Sequence, residues 1–392
     1  MERAYLDCNA TTPLDPRVLD AMLPWLRDGF GNASSLHWFG QQARAAIDDA
    51  RGELAALIGA TPQEIVFTGS GTEADNAALR GVSGSARAPR RKIVHSTIEH
   101  HAVLNSAKAL AAEGVPVETV AVREHGGIDL DDLARKLDDE TALVAVMLAN
   151  NETGAVQPID EVVSLARQRG ALTLCDGVQA GGKLAVDVKA LGVDLLTLSA
   201  HKLYGPKGVG ALYVRRNTRM TSFLRGGSQE RGRRAGTENV AGIVGFGRAA
   251  ALAREALARG EDTERIGGLR DRLESRLLAI DGARLNGAPS PRVSNTTNLS
   301  FAGVEAESLV MALDLMGLAV STGAACAAGA VDPSHVLRAM GLSAERVQSS
   351  IRLSLGRFTT EAEAERAATA IGEAVARQRS IRSSAASARR AG

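Results

Sequence analysis

The sequence predicts an α/β protein: a large domain built on a mostly parallel, mixed sheet, joined to a smaller α+β domain. Three observations predict it. Between residues 64 and 214, short apolar runs such as ALVAVML (142–148) and ALTLC (171–175) alternate with helical patterns. The runs are continuously apolar, as expected of strands covered on both faces of a parallel sheet. After about residue 260 the order changes, and shorter strand-like and helical stretches follow one another.

Each element has a local reason. Pro13 and Pro16 precede a helical pattern over Arg17–Leu26. A glycine-bounded loop, 29–41, leads to an amphipathic helix over 41–58 that ends at Gly59. The spacing predicts strands over 64–68, 93–97, 117–121, 142–148, 171–175, 194–199 and 209–214. Between them it predicts helices over 70–81, 101–113, 130–138, 158–169 and 187–191. Two long helices follow, 238–257 and 262–280, joined by the charged stretch 258–265. In the remainder, 292–303 and 350–356 read as strands and 304–315 as a helix. Asp332-Pro333 reads as an N-cap with proline at the first helical position. A last helix is expected over 360–376. The end, 377–392, has five Arg and no acid and reads as a basic flexible tail. The expected division is an N-terminal segment 1–15, a large domain 16–260, a small domain 261–376 and the tail.

Composition excludes more than it identifies. The chain has 392 residues, net charge +1, 45 % hydrophobic and 23 % charged residues. Near-neutral charge points away from nucleic acid and from an anionic membrane surface. No stretch reaches the roughly 18 apolar residues of a transmembrane helix. The opening MERAYLDCN has no long apolar run, so no signal peptide or anchor is expected, and a reduced, cytoplasmic protein is the default. Three cysteines, Cys8, Cys175 and Cys326, show no CxxC pair, so neither a disulfide scaffold nor a metal site is expected. Glycine, at 41 residues, exceeds the usual ~7 %, which marks turns or close approaches of backbone to a ligand.

In open α/β sheets, ligands sit beyond the carboxyl ends of the strands. Four strands end there in polar residues: His100 and His101, then Asn150-Asn151-Glu152, then Asp176 and Gln179, then Ser199, His201 and Lys202. One polar turn is ordinary; four in succession indicate a site. TGSGTEADN places Gly71 and Thr72 at a helix start, where free N–H groups receive an anion. It is neither a dinucleotide fingerprint nor a P-loop. A lysine after an apolar strand, an aspartate at the neighbouring strand end and an anion cradle are what pyridoxal phosphate requires.

At these residues the chain resembles the cysteine desulfurases of the NifS/IscS type, in the large aminotransferase-like family of pyridoxal-phosphate enzymes. YLDCNATTPLDP, SAHKLYGPKGVGALYV, RAGTENV and STGAACAAGAVDPSHVLRAMG carry the resemblance, which runs to SIRLSLGRFTT near residue 360. It implies the fold type I of pyridoxal-phosphate-dependent transferases. It implies that Lys202 holds pyridoxal 5'-phosphate and then acts as general base. His100 would stack on the ring and relay protons. Asp176 would pair with the ring nitrogen, and Gln179 with the ring hydroxyl oxygen. Gly71, Thr72, Ser199 and His201 would hold the phosphate, and Thr237 would reach it from the other subunit of a homodimer. Asn151 and Arg352 would grip the substrate carboxylate. Cys326 would be the nucleophile that takes sulfur from L-cysteine as a persulfide, leaving L-alanine. The acceptor implied is an iron–sulfur scaffold protein.

Two departures accompany the resemblance. Cys8 stands where the family commonly has Asn, and Cys175 directly precedes Asp176; both read as buried thiols. The basic tail bears no likeness to the C-terminus of the scaffold-binding members. Selenocysteine lyase would need the same Lys, Asp and Cys. An aminotransferase or β-lyase would survive Cys326→Ala, whereas a desulfurase would stop forming persulfide. A scaffold protein that merely kept the fold would show no visible cofactor band.

Overall fold

The computed structural model describes residues 3–85, 90–287, 291–322 and 333–391. In chain order the strands are β1 (Ala4–Tyr5), β2 (Ile65–Thr68), β3 (Lys92–Ser96), β4 (Val117–Val120), β5 (Thr141–Met147), β6 (Leu172–Asp176), β7 (Leu195–Ser199), β8 (Gly210–Val214), β9 (Ala283–Leu285), β10 (Thr296–Phe301), β11 (Leu318–Ala319) and β12 (Ser350–Ser354). Seven of them form the large sheet in the order β2-β8-β7-β6-β5-β3-β4. β8 runs against both its neighbours, and every other pair is parallel. This is the mixed, mostly parallel sheet expected from the apolar runs.

The topology fixes where function can sit. Because β2, β3, β5, β6 and β7 point the same way, Thr68, Ser96, Met147, Asp176 and Ser199 share one edge. Gly210 begins the reversed strand β8 at that edge, paired with Ser199 and Thr68. The interior of the sheet is apolar on both faces: β5, β7 and β8 are buried at every position. Each fully buried Leu, Ile or Val contributes about 1.5–3 kcal/mol.

Helices Trp38–Leu57 and Val240–Arg259 cover one flank. They approach closely because Gly247 faces Ala50; a Cβ at Gly247 would lie 2.5 Å from the Ala50 Cα. The first of these helices starts three residues before the expected residue 41, because His37 caps it by accepting from the Gly40 amide. Val240–Arg259 ends at Gly260, which takes φ +73° and leads directly into Glu261–Leu278. The expected joint of eight residues is therefore a single left-handed glycine.

The smaller unit has its own antiparallel sheet, β12-β10-β9, and its own buried cluster, which includes Leu273, Leu299, Phe301, Leu309, Ile351 and Ile371. β1 pairs in parallel with β11, and Leu6 and Ala4 enter that cluster. Asp332 and Cys326 lie outside the described residues. Among those described, the helix His335–Ala339 is capped by Ser334, whose hydroxyl accepts from the Leu337 amide, so the helix starts later than the Asp-Pro signal suggests. The short helix Ala344–Gln348 was not expected from the sequence. The final helix spans Glu361–Ala391 rather than stopping at 376. No proline occurs in that span and Gly372 is its one glycine, so nothing breaks the helix where the charge pattern changes.

Candidate active site

Ten of the expected site residues line one cavity of about 450 Å³ at the carboxyl edge of the large sheet. They are Gly71, Thr72, His100, Asn151, Asp176, Gln179, Ser199, His201, Lys202 and Arg352. Asn9, Ser70, Asp75, His101, Glu152, Ser321 and His335 share the wall. Thr237 does not line it; it is exposed on the irregular stretch before Val240–Arg259. Cys326 lies outside the described residues.

One end of the cavity is a helix start. In Gly71–Ser85, the Ser70 hydroxyl accepts from the Glu73 amide and the Ser70 carbonyl from the Ala74 amide. Of the first four N–H groups, which no helix can satisfy internally, those of Gly71 and Thr72 remain for an anion. The close packing beneath requires glycine. A Cβ at Gly210 would lie 2.4 Å from the Ser70 carbonyl carbon, and one at Gly71 would lie 2.9 Å from Val178 Cγ2. Ser199 and His201 flank this end from β7 and the short turn after it. The His201 Nδ1 lies 3.1 Å from Thr11 Oγ1, and burial with Lys202 and Lys207 pushes its pKa down to about 4. His201 is therefore a neutral hydrogen-bonding group.

The middle of the cavity holds the carboxylate and the amine. Asp176, the last residue of β6, accepts from the Val178 amide at 2.9 Å and faces Thr197 Oγ1 at 3.4 Å. Burial raises its pKa, and His100 and Lys202 oppose that rise. Lys202 Nζ donates to the carbonyls of Asn9 and Ala10. Burial and the Arg352 charge push its pKa down to about 8. The His100 ring faces the open cavity and accepts from the Ala102 amide at 3.1 Å, which fixes its Nδ1 as the acceptor. The protein around it lowers its pKa, so the ring is neutral near pH 7.

Beyond them lies a guanidinium. Arg352, on β12, donates from Nη1 to the Asn151 carbonyl at 2.9 Å and from Nη2 to Asp7 at 2.6 Å. Its buried Nε has no partner among the described residues. A spare donor on a buried, always-charged fork suits a carboxylate.

Glu99 stands behind the cavity and Glu152 is a buried acid in its wall. Glu99 accepts from Ser96 Oγ at 2.5 Å and the Met147 amide at 2.9 Å through Oε1, while Oε2 has no partner among the described residues. Burial raises its pKa to about 8. Glu152, bonded to Ser334 Oγ at 2.5 Å, is raised to about 7. Below its ordinary range Glu99 is neutral folded and unfolded. Between about pH 4.5 and 8 the unfolded chain releases the proton and the folded chain keeps it, so stability falls as pH rises. Glu99→Gln keeps the doubly accepting oxygen. It is expected to remove that loss, on the order of a few kcal/mol, leaving the variant more stable than the parent at pH 8–9 in urea unfolding. Equal pH dependence in the two proteins would refute it.

The sequence pointed to His100 but not to His335, whose Nε2 meets the Glu99 carbonyl at 3.0 Å and whose ring lies 4.8 Å from that of His101. It also missed Asn9, whose carbonyl accepts from both Lys202 and Gln179. Asn9 lies inside YLDCNATTPLDP, but nothing in that string assigns it a role; only the fold brings it under Lys202. Cys8 and Cys175 are buried free thiols, as expected, and burial pushes the Cys8 pKa to about 12.

The arrangement fits pyridoxal phosphate: a depressed-pKa amine, a buried carboxylate, and a glycine-floored helix start with two unspent amides. Comparison with known proteins agrees. Residues 4–367 match the family profile described as Aminotransferase class-V. The chain is 48 % identical over 382 residues to a cysteine desulfurase of Trichormus azollae, covering 97 % of this chain and 95 % of that one. It is 47 % identical to the cysteine desulfurase IscS of Anaeromyxobacter sp., covering 96 % and 93 %. A solved NifS-like protein superposes with TM-score 0.89 at 36 % identity, over 95 % of this chain and 99 % of that one. SspA, solved in complex with cysteine, superposes with TM-score 0.79 at 32 % identity, over 91 % and 99 %. With this sheet, this cavity and these relatives, the chain belongs to the class-V aminotransferase family, among the NifS/IscS-type cysteine desulfurases.

Proposed function

We propose that this protein is a pyridoxal 5'-phosphate-dependent cysteine desulfurase that converts L-cysteine to L-alanine and carries the sulfur as a persulfide on Cys326 toward iron–sulfur cluster assembly. The observation that carries the reading is the meeting of Lys202, Asp176 and the Gly71–Thr72 helix start in one cavity. Pyridoxal phosphate, when bound, supplies an electron sink for charge developing at the substrate α-carbon.

The chain's own groups do the rest. Gly71, Thr72, Ser199 and His201 receive the phosphate. Asp176 would hold a proton on the ring nitrogen, Gln179 would donate to the ring hydroxyl oxygen, and His100 would lie against the ring. Arg352, with its spare Nε donor and the Asn151 side chain beside it, orients the substrate carboxylate. Lys202 removes the α-proton; its depressed pKa leaves a usable neutral fraction near pH 7. The Cys326 thiolate then attacks the substrate sulfur. The balance is L-cysteine plus the Cys326 thiol giving L-alanine plus the Cys326 persulfide: the C–S bond breaks, an S–S bond forms, and protons complete the methyl group of alanine. His100 moves protons to and from the thiols.

A homodimer is part of the proposal. Leu19, Leu23, Leu26, Phe30, Leu36, Trp38 and Phe39 are exposed large apolar residues within one stretch, more than a lone surface leaves uncovered. Thr237, exposed and outside its own cavity, is then free to reach the partner's phosphate site. The division at 260/261 is supported by the second buried cluster, which apart from Ala4 and Leu6 lies wholly after residue 260, while a smaller cluster packs Ile98 and Met147 against Val336 and Leu337 across the division. A cytoplasmic, reducing setting fits a free-thiol nucleophile.

The test is product stoichiometry. Purified protein with pyridoxal phosphate and L-cysteine is expected to give alanine and reductant-releasable sulfide in equal amounts. Pyruvate, or no amino-acid product, overturns the reading.

A further inference from the structure

Lys183, four residues after Gln179, occupies an unusual position. Its ammonium donates to Gln179 Oε1 at 2.7 Å and to Asn9 Oδ1 at 3.1 Å. Both acceptors are neutral amide oxygens, and no carboxylate pairs with it among the described residues. Burial pushes its pKa down to about 7, with Lys202 and Arg352 adding to the push. A lysine held this way gains no ion pair from its position. What it imposes is direction.

A carboxamide is nearly symmetric in shape, and a half-turn exchanges its oxygen for its NH₂ group. Below its depressed pKa the group is an ammonium with donors only, which turns the oxygen of each amide toward Lys183. With Oε1 held, Gln179 Nε2 donates to the Asn9 carbonyl at 2.9 Å and retains one further N–H. The same logic orders Asn9. Its Oδ1 accepts from Lys183 and from Asn295 Nδ2 at 3.0 Å, so its Nδ2 donates to Thr296 Oγ1 at 2.8 Å and to the Asn151 carbonyl at 3.1 Å. That carbonyl is also the one that Arg352 Nη1 holds.

We propose that Lys183 is a positioning residue: by holding Gln179 Oε1 and Asn9 Oδ1, it fixes Gln179 as a hydrogen-bond donor toward the ring oxygen of the cofactor. The proposal rests on the assignment of Gln179 made above. Lys183 touches neither cofactor nor substrate in this scheme; it acts through two amides. Nothing local marks it, because a lysine four residues past a glutamine is common.

A double-mutant cycle tests it, using Lys183→Met, Gln179→Ala and the double variant. Two readouts apply: the dissociation constant of pyridoxal phosphate from the apo protein, followed by intrinsic fluorescence, and the pH midpoint of the visible absorbance band of the bound cofactor. Each single variant is expected to weaken binding by about tenfold, the size of one hydrogen bond involving a charged group. Each is expected to move the midpoint in the same direction. The double variant is expected to go no further than Gln179→Ala alone, because Lys183 has nothing left to orient. Additive effects overturn the proposal, as does a Lys183→Met protein that loses thermal stability while both readouts stay unchanged. If Gln179→Ala itself moves neither readout, the assignment of Gln179 fails and the proposal with it. If only Lys183→Met is silent, the assignment stands and the proposal alone falls.

Discussion

Lys202→Ala is expected to lower alanine formation by on the order of 10⁴-fold, the upper end for loss of a general base. The reason lies in the surroundings of the amine. Lys202 is placed at the end of β7 by the turn Ala200–Lys202, with its Nζ against the Asn9 and Ala10 carbonyls. Burial and Arg352 disfavour its charge; Asp7 and Asp176 favour it less strongly. The result is a base whose proton is removed near neutral pH. Lys202→Arg is the decisive companion. Guanidinium keeps the positive charge and the donors but does not give up its proton. If Lys202 acts through charge alone, the arginine variant retains activity. If it acts as a base, both variants fall together. Single-turnover formation of alanine measures this, and a Lys202→Arg enzyme keeping more than about 1 % of the rate would refute base catalysis within the range normal for it. Neither substitution removes a core contact, so both proteins are expected to fold.

The second large effect is on stability. Arg51 and Glu230 form a two-pronged ion pair, Nη1–Oε2 at 2.7 Å and Nη2–Oε1 at 2.8 Å, with both side chains 3 % exposed. Both prongs have further partners, while Arg51 Nε faces Asp48 Oδ1 at 3.6 Å without a hydrogen bond. Arg51 Nη1 also donates to the Ile65 carbonyl, Glu230 Oε2 accepts from the Phe67 amide, and the guanidinium lies 4.8 Å from the Phe67 ring centroid. Glu230 and Arg231 take φ 48° and 58°, a conformation that side-chain-bearing residues adopt at a cost of order 1–3 kcal/mol. The buried pair offsets that strain and ties the irregular stretch ahead of Val240–Arg259 to β2. Glu230→Ala leaves the buried guanidinium with only the half-exposed Asp48 at 3.6 Å and is expected to destabilise the protein by about 3–5 kcal/mol in urea unfolding. Arg51→Met combined with Glu230→Leu is expected to recover much of that, since an apolar pair leaves no uncompensated charge. Should the double variant be worse than Glu230→Ala, the account by unpaired charge is wrong.

The legibility of the molecule followed the range of its interactions. Strands β5 to β8 were readable because a strand buried on both faces must be apolar throughout, whatever its neighbours. Asp176, Ser199 and Lys202 were readable because they end such strands. The pairing of β1 with β11 was not, since a two-residue strand has no period to detect. Asn9, Lys183 and Glu230 act through partners as far as 345, 174 and 179 residues away, or through the orientation of an amide, and neither leaves a local signature. The helix start at His335 was misread because two capping signals overlap: Asp332-Pro333 satisfies the pattern, but Ser334 supplies the bond.

The position of Asn9 also bears on how the protein is made. Its amide bonds Ser354 Oγ across 345 residues, and Asp7 bonds Arg352 across the same span. At ribosomal rates of about 5–20 residues per second, some 20–70 s separate the synthesis of these partners. Until its end the first segment of the nascent chain lacks these two partners, although the large sheet is complete once β8 has been made. The pocket floor under Lys202 is therefore among the last parts of the polypeptide to be assembled.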